Sequence, residues 1–206
     1  MDNLLSQGSK AKPSACSNSL QSPSQERLAH SLQTGNKAEL EWAPHFFRSL
    51  HWSFKPSTSY ENAFGHFDFI ATKNNRKLNV EVKAPKVCRN ARYSHLSLVL
   101  SEYTGITGKP GWLRGEADVI LQFLSEDTAL AYRRDSMLHK FSSPSEIERF
   151  TPYNAPLSQW FGRTGLSRTG KPNQDIIRWD ELSFYLNSPH SSLYFLSNNQ
   201  WKKQAN

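Results

Sequence analysis

The chain has 206 residues, room for one ordinary domain with an appendage and too few for two full domains. Hydrophobic residues make up 37% and aromatics 12%, with six Trp and twelve Phe, so a chain too polar to bury a core is excluded. The net charge of +7, from 25 Lys+Arg against 18 Asp+Glu, admits a polyanionic partner without requiring one.

Residues 1–34 hold eight Ser and no aromatic, which predicts a disordered polar tail with a charge of only +1. This start lacks the basic and apolar regions of a secretory signal, and no window approaches the roughly 18 apolar residues of a membrane span. An intracellular, cytoplasmic protein without a membrane partner is therefore expected. Two cysteines, Cys16 and Cys88, cannot build a disulfide framework or a four-thiolate zinc site. Next, Leu40, Ala43, Phe47 and Leu50 recur at helical spacing and predict a helix over residues 37–50, with Pro44 as a kink. Glu39 flanks the apolar stripe of that helix, whereas Glu41 falls with His45 and Arg48 on its outer face.

Residues 65–72 and 77–84 both alternate apolar and polar side chains, as half-buried strands do. Asn74 and Asn75 between them suit the positive φ of a tight hairpin turn. That turn sets Phe67 opposite Val82, Phe69 opposite Val80 and Ala71 opposite Leu78, one wholly apolar face. On the other face His66 meets Lys83, Asp68 meets Glu81 and Ile70 meets Asn79. Two carboxylates about 4.5–5.5 Å apart at Cβ destabilise a sheet unless something compensates them. Hard Mg²⁺, held by one or two carboxylates, is the natural compensator. Lys83, two residues along the same face, can stabilise charge on a phosphate or orient a water. Two acids, a metal and a lysine are the parts of a phosphodiester hydrolase.

The charge concentrates at the same place. Residues 73–92 hold seven basic residues and one acid, a net of +6, and everything else after the tail sums to about zero. Lys86, Arg89 and Arg92 of this segment are expected to grip phosphates beside the cut, with His66 a further phosphate contact.

Downstream, residues 93–103 mix two periodicities and specify no element. Residues 117–124 form a near-continuous apolar run, as a central strand covered on both faces should, and 128–132 read as the next strand. Ser143, Pro144 and Glu146 make a capping-box pattern that predicts a second helix. Residues 165–172 nearly spell a phosphate-binding P-loop, but Pro172 replaces the required hydroxyl and no apolar strand precedes it. It reads instead as a basic loop in which Arg163, Arg168 and Lys171 can touch a DNA backbone. The aromatic-rich segment 151–206 is expected to pack on the core as an accessory.

Asp68, twelve intervening residues and then Glu81-Val82-Lys83 on consecutive strands resemble the PD-(D/E)XK, or restriction-endonuclease-like, nuclease superfamily. Phe67 stands where that family often has Pro. The resemblance implies Asp68 and Glu81 as Mg²⁺ ligands, with Mn²⁺ able to substitute, and Lys83 as the catalytic lysine. It also implies a third acid on the preceding helix, for which the stripe favours Glu39 over Glu41. The expected architecture is an α/β restriction-endonuclease-like core over residues 35–150, a central mixed sheet flanked by helices. The expected activity is Mg²⁺-dependent DNA endonuclease, in a homodimer because cutting two strands calls for two sites. A DNA-binding protein that keeps the fold without hydrolysis, and a nuclease acting on RNA, are the rival readings.

Overall fold

The computed structural model describes residues 23–167 and 169–205. Of the expected tail, residues 1–22 lie outside this description, while the following stretch is helical rather than disordered. Helix α1 (Pro23–Lys37) runs through a π-helical turn (Ala38–Trp42) into helix α2 (Ala43–Ser49) as one rod. The π turn ends two residues before Pro44, which has no N–H to donate to the preceding turn, and it stands where a kink was expected. It also adds a residue to the helical phase. Ala38, Ala43, Phe46 and Phe47 form the buried face, and Leu40, expected in the stripe, is 73% exposed.

The fold is α/β, built on a curled, mixed seven-stranded sheet with strands β1 (Ser53–Pro56), β2 (Phe69–Lys73), β3 (Arg76–Lys83), β5 (Val119–Phe123), β6 (Thr128–Arg133), β10 (Ser191–Ser197) and β11 (Gln200–Lys203) in that spatial order. Only β3 and β5 run parallel in it. A second, four-stranded sheet joins β4 (Leu98–Thr104), β9 (Ile176–Glu181), β8 (Phe161–Arg163) and β7 (Arg149–Phe150). Helix α3 (Arg134–Lys140) follows β6, and α4 (Leu182–Leu186) follows β9.

The large sheet buries both faces. Phe69, Ala71, Val80, Val82, Leu121 and Phe123 pack against the helical rod and Trp201. Ile70, Ile120, Leu130 and Tyr132 pack the other way, against Val99, Phe161, Ile177 and Trp179 of the second sheet, Met137 of α3 and Tyr185 of α4. Burial of one such large side chain contributes about 1.5–3 kcal/mol. Strand β5 touches both layers, which explains its unbroken apolar run.

Two expectations differ from the observed chain path. The helix after β6 is α3, so the capping-box pattern at 143–146 starts none. There the Trp160 indole N–H donates to the Ser142 carbonyl at 2.7 Å and the chain crosses toward β7, so long-range packing replaces a local helix. Residues 151–206 are also more than an accessory. They supply β8 and β9 to one sheet and β10 and β11 to the other, with β9 pairing β4 and β10 pairing β6. Among the described residues no helix is long and apolar enough to cross a membrane.

Candidate active site

The hairpin forms in the expected register, with Phe69 opposite Val80, Ile70 opposite Asn79 and Ala71 opposite Leu78. Asn74 (φ 49°) and Asn75 (φ 62°) adopt the left-handed turn conformation that fixes it. The ladder stops at Phe69, however, and Asp68 leaves it. The Asp68 N–H donates to the Val80 carbonyl at 2.9 Å. Its carboxylate takes the place of a backbone acceptor, with Oδ2 accepting the Val82 N–H at 2.7 Å and Oδ1 accepting Asn62 Nδ2 at 2.7 Å. The Asp68 and Glu81 carboxylates nonetheless stay close enough to interact directly.

Upstream of Asp68 the expected pairs are lost. Phe67 is buried in the cluster facing the second sheet, on the side of the large sheet opposite Val82. His66 is not paired with Lys83 in the ladder. It has a left-handed backbone (φ 51°, ψ 57°) and closes the π-helical turn Glu61–Gly65, its N–H donating to the Asn62 carbonyl at 3.2 Å. Its Cβ lies against Gly115, where a methyl group would come within 2.7 Å, so only glycine admits this approach.

Glu81 and Lys83 project from the same face of β3 and form an ion pair through Glu81 Oε1. Glu81 is 5% exposed, and its Oε2 has no hydrogen-bond partner among the described residues. Burial pushes the Glu81 pKa up to about 8; the Lys83 ammonium opposes this and the neighbouring Asp68 carboxylate adds to it. Burial works against the Lys83 ammonium, but the Glu81 and Asp68 carboxylates outweigh it and hold its pKa above the ordinary lysine value. The ammonium also lies 5.1 Å from the centre of the Trp112 ring, a favourable cation–π position.

Glu39, on the π turn of the rod, belongs to this group. Partial burial and then the Asp68 carboxylate raise its pKa, with Lys83 opposing. The π turn packs against β3, which brings Glu39 into the field of the hairpin acids. Glu39 and Glu41 are both largely exposed on this turn.

The second sheet adds residues absent from the sequence reading. Glu102 on β4 has its pKa raised by burial, against the pull of Lys83 and Arg163, with Asp175 adding to the rise. Arg163 is held by the fully buried Asp175, whose Oδ1 lacks a partner among the described residues. Glu102 lies in the segment whose periodicity was ambiguous, and its approach to Lys83 depends on how two sheets pack. Asn62, which holds Asp68, precedes the hairpin and carries no local signal.

Three of the expected phosphate-contacting residues, Lys86, Arg89 and Arg163, line one cleft of about 670 Å³. Burial, then the Lys83 and Arg163 cations, lower the Lys86 pKa below the ordinary lysine value, while Glu102 opposes. Arg92 lies in a short 3-10 turn, outside the lining of that cleft. Lys171 is exposed in a loop pinched shut by the Leu166–Pro172 bridge and by the Ser167 N–H donating to the Lys171 carbonyl at 2.7 Å. Arg168 of this loop lies outside the described residues.

No group of three or more His, Cys, Asp or Glu side chains is arranged to hold a metal among the described residues. The donor chemistry of Asp68 and Glu81 nonetheless fits a hard divalent cation. Both are carboxylates, they are neighbours, and Glu81 Oε2 is a buried oxygen without a partner. Such an ion would offset the cost of burying that charge. Compared with known proteins, the chain matches no family model, no curated protein and no solved structure.

Proposed function

We propose that this protein is a Mg²⁺-dependent DNA endonuclease with a restriction-endonuclease-like core, acting as a homodimer. The observation that carries the reading is the convergence of Asp68, Glu81 and Lys83 at the end of one hairpin, with Glu81 Oε2 buried and without a hydrogen-bond partner among the described residues. Glu39, drawn in by the π turn, supports it as a third acid. Bound Mg²⁺, or Mn²⁺ in its place, would supply neutralisation of phosphate charge and acidification of water.

The chain's own residues have separable tasks. Asp68 is pinned by the Val82 amide and Asn62, so its carboxylate is oriented in advance. Lys83, whose pKa the neighbouring Glu81 and Asp68 raise, supplies a cation and hydrogen-bond donor toward the phosphate. Lys86 and Arg89 follow directly on the strand and meet the adjoining phosphates, giving affinity without sequence information.

The test incubates plasmid, branched and linear DNA with Mg²⁺ and compares wild type with Asp68→Ala and Lys83→Ala. Nicking by wild type that both substitutions abolish is expected. Binding without nicking would instead favour a non-hydrolytic DNA-binding protein, a reading to which the closed Glu81–Lys83 ion pair lends some support. Cleavage confined to an RNA lane in the same gel would redirect the assignment to RNA.

A further inference from the structure

We propose that the cleft beside Lys83 is a binding site for a single unpaired DNA strand, so that substrates with a single-stranded extension are held in preference to continuous duplex. The strand would leave the hairpin site along residues 85–89. This deepens the nuclease reading and rests on it for the position of the cut.

The cleft lies between α1 and the second sheet. Its volume of about 670 Å³ is in the range of pockets that enclose one small molecule, so roughly one or two nucleotides fit and a double helix does not. One wall is the segment directly after Lys83, with Lys86 and Arg89. The opposite wall is α1, where Arg27, His30 and Thr34 follow at spacings of three and four and therefore share one helix face. Thr34 Oγ1 donates to the His30 carbonyl at 2.9 Å and keeps that face compact.

The lining has the two chemistries a single strand needs. Arg27, Lys86 and Arg89 are cations, Arg163 joins them although paired with the buried Asp175, Glu26 is the one acid in the lining, and a polyanionic backbone matches that balance. Val87, 82% exposed, and the small accessible edges of Leu100 and Trp179 give the cleft an apolar side for base faces, which every nucleotide presents whatever its identity. After burial, the Lys83 and Arg163 cations lower the Lys86 pKa against the pull of Glu102, and a phosphate beside Lys86 would offset that repulsion.

The experiment measures fluorescence anisotropy of a labelled short oligothymidylate and of a blunt duplex of equal length, with full-length protein in EDTA. The double variant Arg27→Glu/Arg89→Glu is compared with Lys202→Glu/Lys203→Glu, which changes net charge equally on exposed positions of β11 outside the cleft. Wild type is expected to bind the single strand on the order of tenfold more tightly than the duplex, and the cleft variant to lose on the order of tenfold with a shallower salt dependence. The β11 variant should lose far less, and circular dichroism should show both variants folded. Equal binding of duplex and single strand, or equal losses in the two variants, overturns the proposal. Tighter binding of an RNA strand or an acidic peptide overturns the assigned occupant. Cleft-dependent strand binding without any Mg²⁺-dependent cutting upholds this site and rejects the nuclease reading; cutting without strand preference does the reverse.

Discussion

The Asp68 carboxylate accepts the Val82 backbone N–H at 2.7 Å, so a proposed metal ligand also completes the backbone hydrogen bonding of β3. This dual role separates two substitutions. Asp68→Ala leaves a partly buried N–H without a partner, which costs about 1–3 kcal/mol. In Asp68→Asn the amide oxygen can still accept from Val82, and Asn62 can turn its own amide to match. Urea melts are expected to show the Ala variant clearly destabilised and the Asn variant close to wild type, with both inactive in nicking. Equal stability of the two variants would contradict the hydrogen bond.

Glu39 and Glu41 sit two residues apart on one π turn, and the Asp68 and Lys83 charges both act on Glu39. Glu39→Gln is therefore expected to slow Mg²⁺-dependent nicking by on the order of tenfold or more, an effect of at least about 1.4 kcal/mol on the barrier. Glu41→Gln should leave the rate within about twofold. Single-turnover nicking rates of the two variants provide the comparison, and the reverse pattern would reassign the helix acid.

The phase of the helical rod is testable without any activity. Phe47 is buried against β2 and Leu40 is 73% exposed. Phe47→Ala should destabilise by about 3–5 kcal/mol through cavity formation. Leu40→Lys should fall within about 0.5 kcal/mol of wild type. A large loss at Leu40 in chemical denaturation would mean a regular helix without the extra π residue.

Glu102 supplies a pH dependence. Its folded-state pKa lies above the ordinary carboxylate value because of burial. The unfolded state thus releases its proton first. Stability from the neutral form is complete below the unfolded pKa, about 4.3, and is lost as pH rises through the raised folded value. Glu102→Gln should match wild type at pH values below that of the free carboxyl and exceed it at neutral pH. Urea midpoints measured across that range give the result, and a difference that shrinks as pH rises would contradict the burial of Glu102.

Much of the hairpin was legible in the sequence because its signals are local. Alternation identified both strands, and the Asn74–Asn75 pair set the register from Phe69 to Lys73. The apolar run of β5 and the start of β6 were legible for the same reason. Pro44 marked a helix irregularity, but whether the chain would kink or insert a π turn depended on what the rod packs against. Leu40 was misplaced on that account.

The sequence by itself determined the hairpin, the spacing of Asp68, Glu81 and Lys83, and the concentration of positive charge around them, since turn chemistry, period-2 patterning and charge act between near neighbours. Tertiary structure decided how those residues are used. It turned Asp68 out of the ladder onto the Val82 amide, took His66 out of register with Lys83, and brought Glu39 in from the rod and Glu102 from the second sheet. It also drew residues 151–206 into both sheets. Each of these outcomes depends on which distant surfaces bury one another and on the backbone groups that burial leaves to be satisfied, and no local pattern encodes either.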